Sequence, residues 1–187
     1  MTTAHRLKIT LAGIRPPIWR RVLVDSEATL GELHLVIQAA FGWLGGHLYD
    51  FEITGTRYGP SVEDEEEGDA EDEETVNLAQ VADAGARFTY TYDFGDDWRH
   101  DIEVEAVEPT TPEISLPTCT DGRRSGPPED CGGPSGYAHL LSALADSNHP
   151  DHDEQLDWVG PHFDPEEFDL ADFPGAFEAG PPVAEFF

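Results

Sequence analysis

The clearest indication of the fold class lies in residues 87–106, which read Arg-Phe-Thr-Tyr-Thr-Tyr-Asp-Phe-Gly-Asp-Asp-Trp-Arg-His-Asp-Ile-Glu-Val-Glu-Ala. On both sides of Gly95-Asp96-Asp97, large apolar or aromatic residues alternate with polar ones, as in two strands that each bury one face. Glycine and aspartate favour tight turns, so this stretch predicts a β-hairpin. The rest of the sheet is inferred outward from it.

Shorter patterns nearer the N-terminus extend the sheet. Residues 6–12 and 18–24 alternate apolar and polar side chains, and Pro16-Pro17 separates them because proline cannot donate to a β-ladder. Residues 49–53 alternate in the same way and predict a third strand.

Residues 29–41 predict the first helix. Thr29 and Glu32 have the spacing of a capping box, in which each side chain satisfies a backbone donor of the first turn. Gly42, together with Gly45-Gly46, predicts the end of the helix at about residue 41. The apolar residues that recur at helical spacing are Leu30, Leu33, Ile37, Ala40, Phe41 and Leu44.

The C-terminal half predicts helices after a long irregular segment. Residues 109–135 contain six Pro and four Gly, which predicts irregular structure. Helices are expected from about Ser135 and over 151–159. The order of elements predicts an α+β fold, with a mixed, mostly antiparallel sheet covered by the first helix and with C-terminal helices.

The charge of the chain is unevenly distributed. The 187 residues carry a formal net charge of -29, but residues 1–62 are nearly neutral at +1, whereas 63–124 carry -16 and 125–187 carry -14. Ten acids fall within residues 63–74, which predicts an acidic loop insertion. Two interpretations stay open: a solvated surface adapted for solubility or salt, and a docking face for a basic partner or a mimic of nucleic acid.

Composition also bounds the location and the partners. No apolar run of about 18 residues indicates a membrane span. The N-terminus lacks a signal-peptide pattern and there are only two cysteines, so we expect a cytoplasmic protein without contact to a membrane. Nucleic acid is an unfavourable partner for so acidic a chain, except through Arg15, Arg20 and Arg21.

Several polar residues flank the predicted strands and form a candidate pocket. His47 and His100 flank strand residues and could face a common pocket, or they could be structural residues of the sheet whose hydrogen bonds are satisfied. Glu129 with Asp130 could act as paired carboxylates or could simply form a rigid turn with the surrounding Pro and Gly. No nucleophile stands in a recognisable catalytic setting. The candidate pocket residues are His47, Asp50, Asp93, Asp96, Trp98, His100, Glu129 and Asp130.

A metal site is a separate possibility. Cys119 and Cys131 with His100 offer zinc ligands in a segment that a metal could order, but the chain lacks the Cys-x2-Cys pairs typical of such sites. Free buried cysteines or a disulfide are the alternatives. Residues 149–154 are also dense in possible ligands, although Asp151 or Asp153 could cap a helix instead.

Several motifs in order resemble the plasmid pRiA4b ORF-3-like family over about residues 5–172. The resemblance implies an α/β roll, a single domain over residues 1–172 and a flexible C-terminal tail over 173–187. It also implies a link to plasmids or mobile elements, since some members are labelled transposon passenger proteins, and it supplies no catalytic residues. The motifs are Ile14-Arg15-Pro16-Pro17-Ile18-Trp19-Arg20-Arg21, Leu30-Gly31-Glu32-Leu33-His34, His47-Leu48-Tyr49-Asp50-Phe51, Tyr92-Asp93-Phe94-Gly95-Asp96-Asp97-Trp98-Arg99-His100, Pro127-Pro128-Glu129-Asp130-Cys131-Gly132-Gly133 and Phe163-Asp164-Pro165-Glu166-Glu167-Phe168-Asp169-Leu170.

This chain departs from that family at one position of interest. Many members resemble Cys-x6-Cys-x4-Cys in the segment that precedes the second helical region, whereas this chain has Cys119, Gly126 and Cys131. The missing thiol weakens any zinc site that the family pattern implies.

The sequence therefore predicts a non-enzymatic cytoplasmic binding module that acts on an unknown protein or small ligand and needs no cofactor. The alternatives are a metal-dependent hydrolytic or nucleic-acid-processing enzyme, with zinc as the metal, and an accessory DNA-mobility factor that uses Arg15, Arg20 and Arg21.

Overall fold

A computed structural model of the protein describes residues 2–60, 70–111 and 113–173. The elements are β1 (Thr3–Leu11), β2 (Trp19–Asp25), α1 (Leu30–Phe41), β3 (Tyr49–Ile53), β4 (Thr56–Gly59), β5 (Ala70–Asp72), a 3-10 helix (Glu73–Thr75), α2 (Leu78–Val81), β6 (Arg87–Tyr92), β7 (Trp98–Pro109), β8 (Thr118–Arg123), α3 (Gly133–Ala145) and α4 (His152–Val159). The strands form one sheet in the order β5-β4-β3-β6-β7-β1-β2-β8, antiparallel throughout except for the parallel pair β4 and β5. The fold is α+β with a mixed sheet, as predicted.

The predicted hairpin is confirmed as β6 and β7. Tyr92 pairs with Trp98 across the turn, so the alternating aromatic residues all lie on the buried face of the sheet. Asp93 and Asp97 adopt left-handed backbone conformations in the turn, which aspartate tolerates better than most residues. This turn lies at the end of the sheet where His47 and Asp130 approach Asp93.

Helix α1 begins and ends as the sequence predicts. Thr29 and Glu32 form the reciprocal capping box, and Gly42 ends the helix with a left-handed φ of 78°. The buried face of α1 packs on the sheet, where the His34 ring bonds the Tyr90 hydroxyl at 2.7 Å. The helix therefore covers the central strands, and the loop that follows Phe41 lies beside the turn of the hairpin.

The irregular segment predicted over residues 109–135 contains a strand. Residues 118–123 form β8, which pairs with β2 at the edge of the sheet. Only Cys119 of this strand is buried, so its sequence lacks the apolar alternation that would reveal it. Backbone hydrogen bonds to β2 supply the order instead.

The acidic loop predicted over residues 63–74 is replaced by regular structure at its end, and residues 61–69 lie outside the described residues. Ala70–Asp72 form β5 beside β4. Strand β5 was not predicted from the sequence. Asp72 then caps the 3-10 helix and Glu73 is buried. Strand β5 and the 3-10 helix form in this acidic segment because backbone pairing and capping do not depend on apolar side chains.

Both predicted C-terminal helices are present as α3 and α4. Helix α3 starts at Gly133, two residues earlier than expected, and α4 has no buried residue. Of the predicted tail over 173–187, only Phe173 is described, and it is buried. None of the helices in the described part of the chain has the length and apolar character needed to cross a bilayer.

Candidate functional site

Three loops meet beside the hairpin turn and bring one histidine between two carboxylates. His47 lies in the loop from α1 to β3, Asp93 directly follows β6, and Asp130 lies in the loop from β8 to α3. Nδ1 of His47 is 3.7 Å from a carboxylate oxygen of Asp93, and Nε2 is 3.2 Å from one of Asp130. One potential ligand atom from each residue lies within 4.8 Å of the others.

Asp93 is held in place by the hairpin turn. Its backbone N–H donates to the carbonyl of Leu48 at 2.8 Å, which fastens the loop of His47 to the end of β6. Its Oδ1 accepts the backbone N–H groups of Gly95 at 2.9 Å and of Asp96 at 3.3 Å. The other oxygen, Oδ2, therefore remains free to face His47.

Glu129 and Tyr92 fix the third loop against the sheet. The Tyr92 hydroxyl donates to Oε1 of Glu129 at 2.5 Å, and burial together with this carboxylate raises the pKa of Tyr92. Trp43 donates its indole N–H to the carbonyl of Pro127 at 2.8 Å in the same segment. Asp130 thus emerges from a loop that is anchored on both β6 and the end of α1.

Asp96 anchors the start of α3 to the same turn. Its Oδ2 accepts the backbone N–H of Gly132 at 3.1 Å. A Cβ at Gly133 would lie 2.2 Å from the carbonyl oxygen of Asp96, and Gly133 has a φ of 66°, so only glycine permits this approach. Of the predicted residues, His47, Asp93 and Asp130 therefore come together, and Asp96 and Glu129 fasten the adjoining loop through Gly132 and Tyr92.

Three predicted pocket residues lie elsewhere. Asp50 pairs with Arg57 on the neighbouring strand β4. Trp98 and His100 are buried in the core, where His100 packs edge-on against Phe41 and Trp43. Both residues were predicted to line a pocket, but they occupy alternating positions of β7 whose side chains lie on the buried face of the sheet.

His100 is a neutral core residue. Burial lowers its pKa to about 3, although the backbone of Tyr90 and Trp98 favours the charged ring. Neither ring nitrogen forms a hydrogen bond of normal geometry with the described residues. Because the ring is enclosed by aromatic side chains, His100 is not available as a ligand at the surface.

The predicted cysteine site is not assembled. Cys119 and Cys131 are free thiols and, with His100, are absent from the sets of three clustered ligand residues in the described chain. Burial raises the pKa of both thiols, that of Cys131 to about 12. A Cβ at Gly126 would lie 2.0 Å from the carbonyl oxygen of Phe41, so a cysteine there would require this loop to move.

A second cluster lies between α3 and α4, where His139 joins His149 and Asp151 of the ligand-rich segment 149–154. The carboxylate of Asp151 is 3.1 Å from Nε2 of His139 and 3.9 Å from Nδ1 of His149. Asp151 is the N-terminal cap position of α4 but makes no capping hydrogen bond through its side chain. Nδ1 of His149 accepts the backbone N–H of Asp151 at 3.2 Å, which occupies the lone pair that a metal would need.

The three arginines proposed to contact DNA do not form a patch. Arg15 is exposed, Arg20 is buried, and Arg21 pairs with Glu105 and Asp121. Arg20 and Arg21 belong to one strand, so their side chains point to opposite faces of the sheet.

The residues that complete the site could be found from the sequence only in part. Glu129 and Asp130 stand out as adjacent carboxylates between prolines and glycines. Tyr92, which anchors Glu129, carried no such signal, because its place in the alternation predicts an ordinary core aromatic residue.

The described residues define a class of α+β protein in which one helix covers a mixed sheet of eight strands and three loops bring a histidine and two carboxylates together at one end of the central hairpin. The chain belongs to the family described as plasmid pRiA4b ORF-3-like protein, whose model matches residues 3–172.

Two similar proteins share this architecture or sequence. The chain is 43% identical over 158 residues to the uncharacterized protein y4hQ of Sinorhizobium fredii, a match that covers 83% of this chain and 80% of that protein. The crystal structure of a protein of unknown function from Methanosarcina mazei Go1, MM3350, matches with a TM-score of 0.83 and 34% identity. That match covers 92% of this chain and 98% of the other.

Proposed function

We propose that the protein is a non-enzymatic binding protein and that His47, Asp93 and Asp130 hold a divalent metal cation. The observation that carries this proposal is the clustering of one imidazole and two carboxylates from three separate loops within 4.8 Å. No single loop could supply this arrangement, and each loop is anchored by contacts of its own.

The donor set favours a transition metal over calcium or magnesium. Imidazole nitrogen with carboxylate oxygen suits zinc or similar ions, whereas calcium and magnesium prefer oxygen ligands alone. The net charge of -29 raises the local concentration of cations around the protein. Since the Asp130 side chain is 73% exposed, it can close on an ion without disturbing the core.

Three protein ligands leave a coordination position open. Tetrahedral zinc takes four ligands, so water or a polar group of the binding partner would complete the shell. Leu44, Leu48 and Phe94 are exposed and come from the same loop and turn as His47 and Asp93. Apolar side chains around a polar centre favour a partner that contacts both.

Metal titration of the tag-free protein tests the proposal. We expect about one equivalent of Zn²⁺ or Mn²⁺ to bind by isothermal titration calorimetry, and His47→Gln to weaken that binding about tenfold or more. Asp93→Asn is the companion variant, because asparagine keeps the acceptor of the turn and tolerates its left-handed backbone.

The matched control is His139→Gln in the second cluster, which makes the same change away from the site. It is expected to leave the tightest binding event unchanged. If wild type binds no metal more tightly than about 10 μM, or if only His139→Gln abolishes binding, the proposal is wrong. The three side chains would then be a histidine that bridges two carboxylates without a metal.

One observation favours a metal-dependent hydrolase as a second candidate. Glu129 is adjacent in sequence to the proposed ligand Asp130 and is held by the Tyr92 hydroxyl at 2.5 Å, so the chain offers a fixed carboxylate as a candidate general base for a metal-bound water. Turnover of a model phosphodiester that needs added metal and is lost in Glu129→Gln, with metal binding retained, would favour the enzyme over the binding protein.

A further inference from the structure

We infer that a cleft beside Arg20, distinct from the cation site, binds a small carboxylic acid with an apolar body. The cleft has a volume of about 400 Å³ and lies between the end of α1, strand β8 and residues 163–173. This volume falls within the range of natural small-molecule sites. Its apolar walls include Phe41, Cys119, Pro127, Val159, Phe163 and Phe168.

Arg20 is the cationic residue in the wall of this cleft. Its Nε donates to the carbonyl of Ala40 at 2.6 Å, and its Nη1 donates to the carbonyls of Trp19 at 2.9 Å and Arg123 at 3.1 Å. Within residues 2–60, 70–111 and 113–173, Nη2 has no hydrogen-bond acceptor and the guanidinium pairs with no carboxylate.

The guanidinium is deeply placed. Arg20 is 3% exposed, and it stacks between the rings of Phe41 at 5.1 Å and Phe168 at 4.4 Å. Burial lowers its pKa to about 10, so it stays charged at neutral pH. Three carbonyls and two rings offset part of the cost of burying this charge, but a buried cation without an anion is unusual.

A carboxylate is the group that this arrangement fits. The two protons of Nη2 remain for a carboxylate, and such charge-assisted hydrogen bonds are stronger where water is excluded. The phenylalanine rings beside the charge would contact the apolar body of the same molecule. A neutral apolar ligand would leave the charge unpaired, which is why an acid is expected.

The surroundings of the cleft give the interaction a distinctive salt dependence. Three exposed carboxylates line the cleft, those of Glu167, Asp169 and Asp172. These carboxylates and the strongly negative net charge of the chain repel an incoming anion. Salt screens exposed charges more than a buried pair. Affinity for a carboxylate is therefore expected to rise with ionic strength, opposite to the behaviour of an anion on a basic surface.

Nuclear magnetic resonance of the full chain provides the test, with octanoate and phenylacetate as the probes. The indole N–H signal of Trp43 reports on the cleft, because this group donates to Pro127 in its wall. Trp19 serves as the internal reference, since its ring contacts Lys8 and Arg21 on the face of the sheet opposite to Arg20. We expect a saturable shift of the Trp43 signal alone.

Neutral analogues of the two acids, and a pair of variants that change the net charge equally, isolate the role of Arg20. Octanamide and phenylacetamide are expected to bind about tenfold more weakly than the acids. Arg20→Met is expected to erase the preference for the acid, while Arg15→Met, which removes an exposed arginine, leaves it unchanged.

If Arg20→Met does not fold, the difference in affinity between acid and amide in the wild type tests whether the cleft prefers a carboxylate. Equal binding of acid and amide, or no saturable shift of Trp43 with either acid, overturns the inference. Because none of the three cation ligands lines this cleft, loss of metal binding in His47→Gln leaves the result interpretable.

Discussion

The hydroxyl of Tyr92 donates a 2.5 Å hydrogen bond to Oε1 of Glu129, and this bond joins the central hairpin to the loop that carries Asp130. Tyr92 is fully buried, whereas Glu129 is half-buried. The bond is therefore a link between the rigid sheet and a loop without regular structure. It accounts for how a surface carboxylate is held opposite His47.

Tyr92→Phe is expected to destabilise the protein by about 2 kcal/mol, the contribution of a hydrogen bond to a charged group. It is also expected to weaken metal binding, because the loop of Asp130 loses an anchor. Urea denaturation and calorimetry measure the two effects. Tyr58→Phe, whose hydroxyl makes no hydrogen bond in the described chain, is the control and should change neither. An unchanged metal affinity in Tyr92→Phe would show that the anchor is dispensable.

Gly126→Ala is expected to destabilise the protein by about 3 kcal/mol, because its Cβ would lie 2.0 Å from the carbonyl oxygen of Phe41. Gly46→Ala introduces a Cβ that meets nothing within 4 Å and is expected to cost about 0.5 kcal/mol or less. Thermal unfolding of both variants makes the comparison. Equal midpoints would mean that the loop moves freely away from α1.

Glu73→Gln is expected to change how stability depends on pH. Burial raises the pKa of Glu73 above 4.5, although the hydroxyl of Tyr49 donates to its carboxylate. The folded state thus binds the proton more tightly, so this residue's contribution to stability is complete below pH 4.5 and declines as the pH rises through its raised pKa. The variant should gain stability relative to wild type over that rise.

Denaturation at a series of pH values measures this difference, with Glu71→Gln as the control. Glu71 is exposed in β5, and its substitution changes the net charge equally. Parallel pH profiles for wild type and Glu73→Gln would contradict the prediction, because they would mean that Glu73 ionises alike in the folded and unfolded chain.

His100→Phe is expected to reduce acid destabilisation. Burial lowers the pKa of His100 from 6.5 to about 3, so between these values the unfolded chain binds a proton that the folded protein does not. The stability of wild type therefore falls as the pH drops through this window. Phenylalanine fits the aromatic surroundings and leaves no buried polar atom, so the variant should lose less stability.

The measurement is the free energy of unfolding between pH 7 and pH 4 for wild type and His100→Phe. His162→Gln, at an exposed position, is the control and should follow wild type. An acid response in His100→Phe as steep as that of wild type would show that other groups dominate. His34 is one such group, since burial also lowers its pKa to about 3.

The local elements of the fold were predictable because their signals are local. The alternation in residues 87–106 and the capping box of Thr29 and Glu32 each rest on side chains that are close in sequence, and both predictions were confirmed. The strand β8 was missed because its order comes from backbone pairing with β2, and β5 was missed for the same reason.

The sequence alone determined which residues could form a site, and the tertiary structure decided which of them do. His47 and His100 looked equivalent as polar residues beside strands, but the pleat of β7 buries His100 against Phe41 and Trp43. Asp93 and Asp130 are 37 positions apart and meet His47 only because the hairpin turn and two loops converge. Contacts between distant segments depend on the packing of the whole sheet and helix, and short-range patterns do not record it.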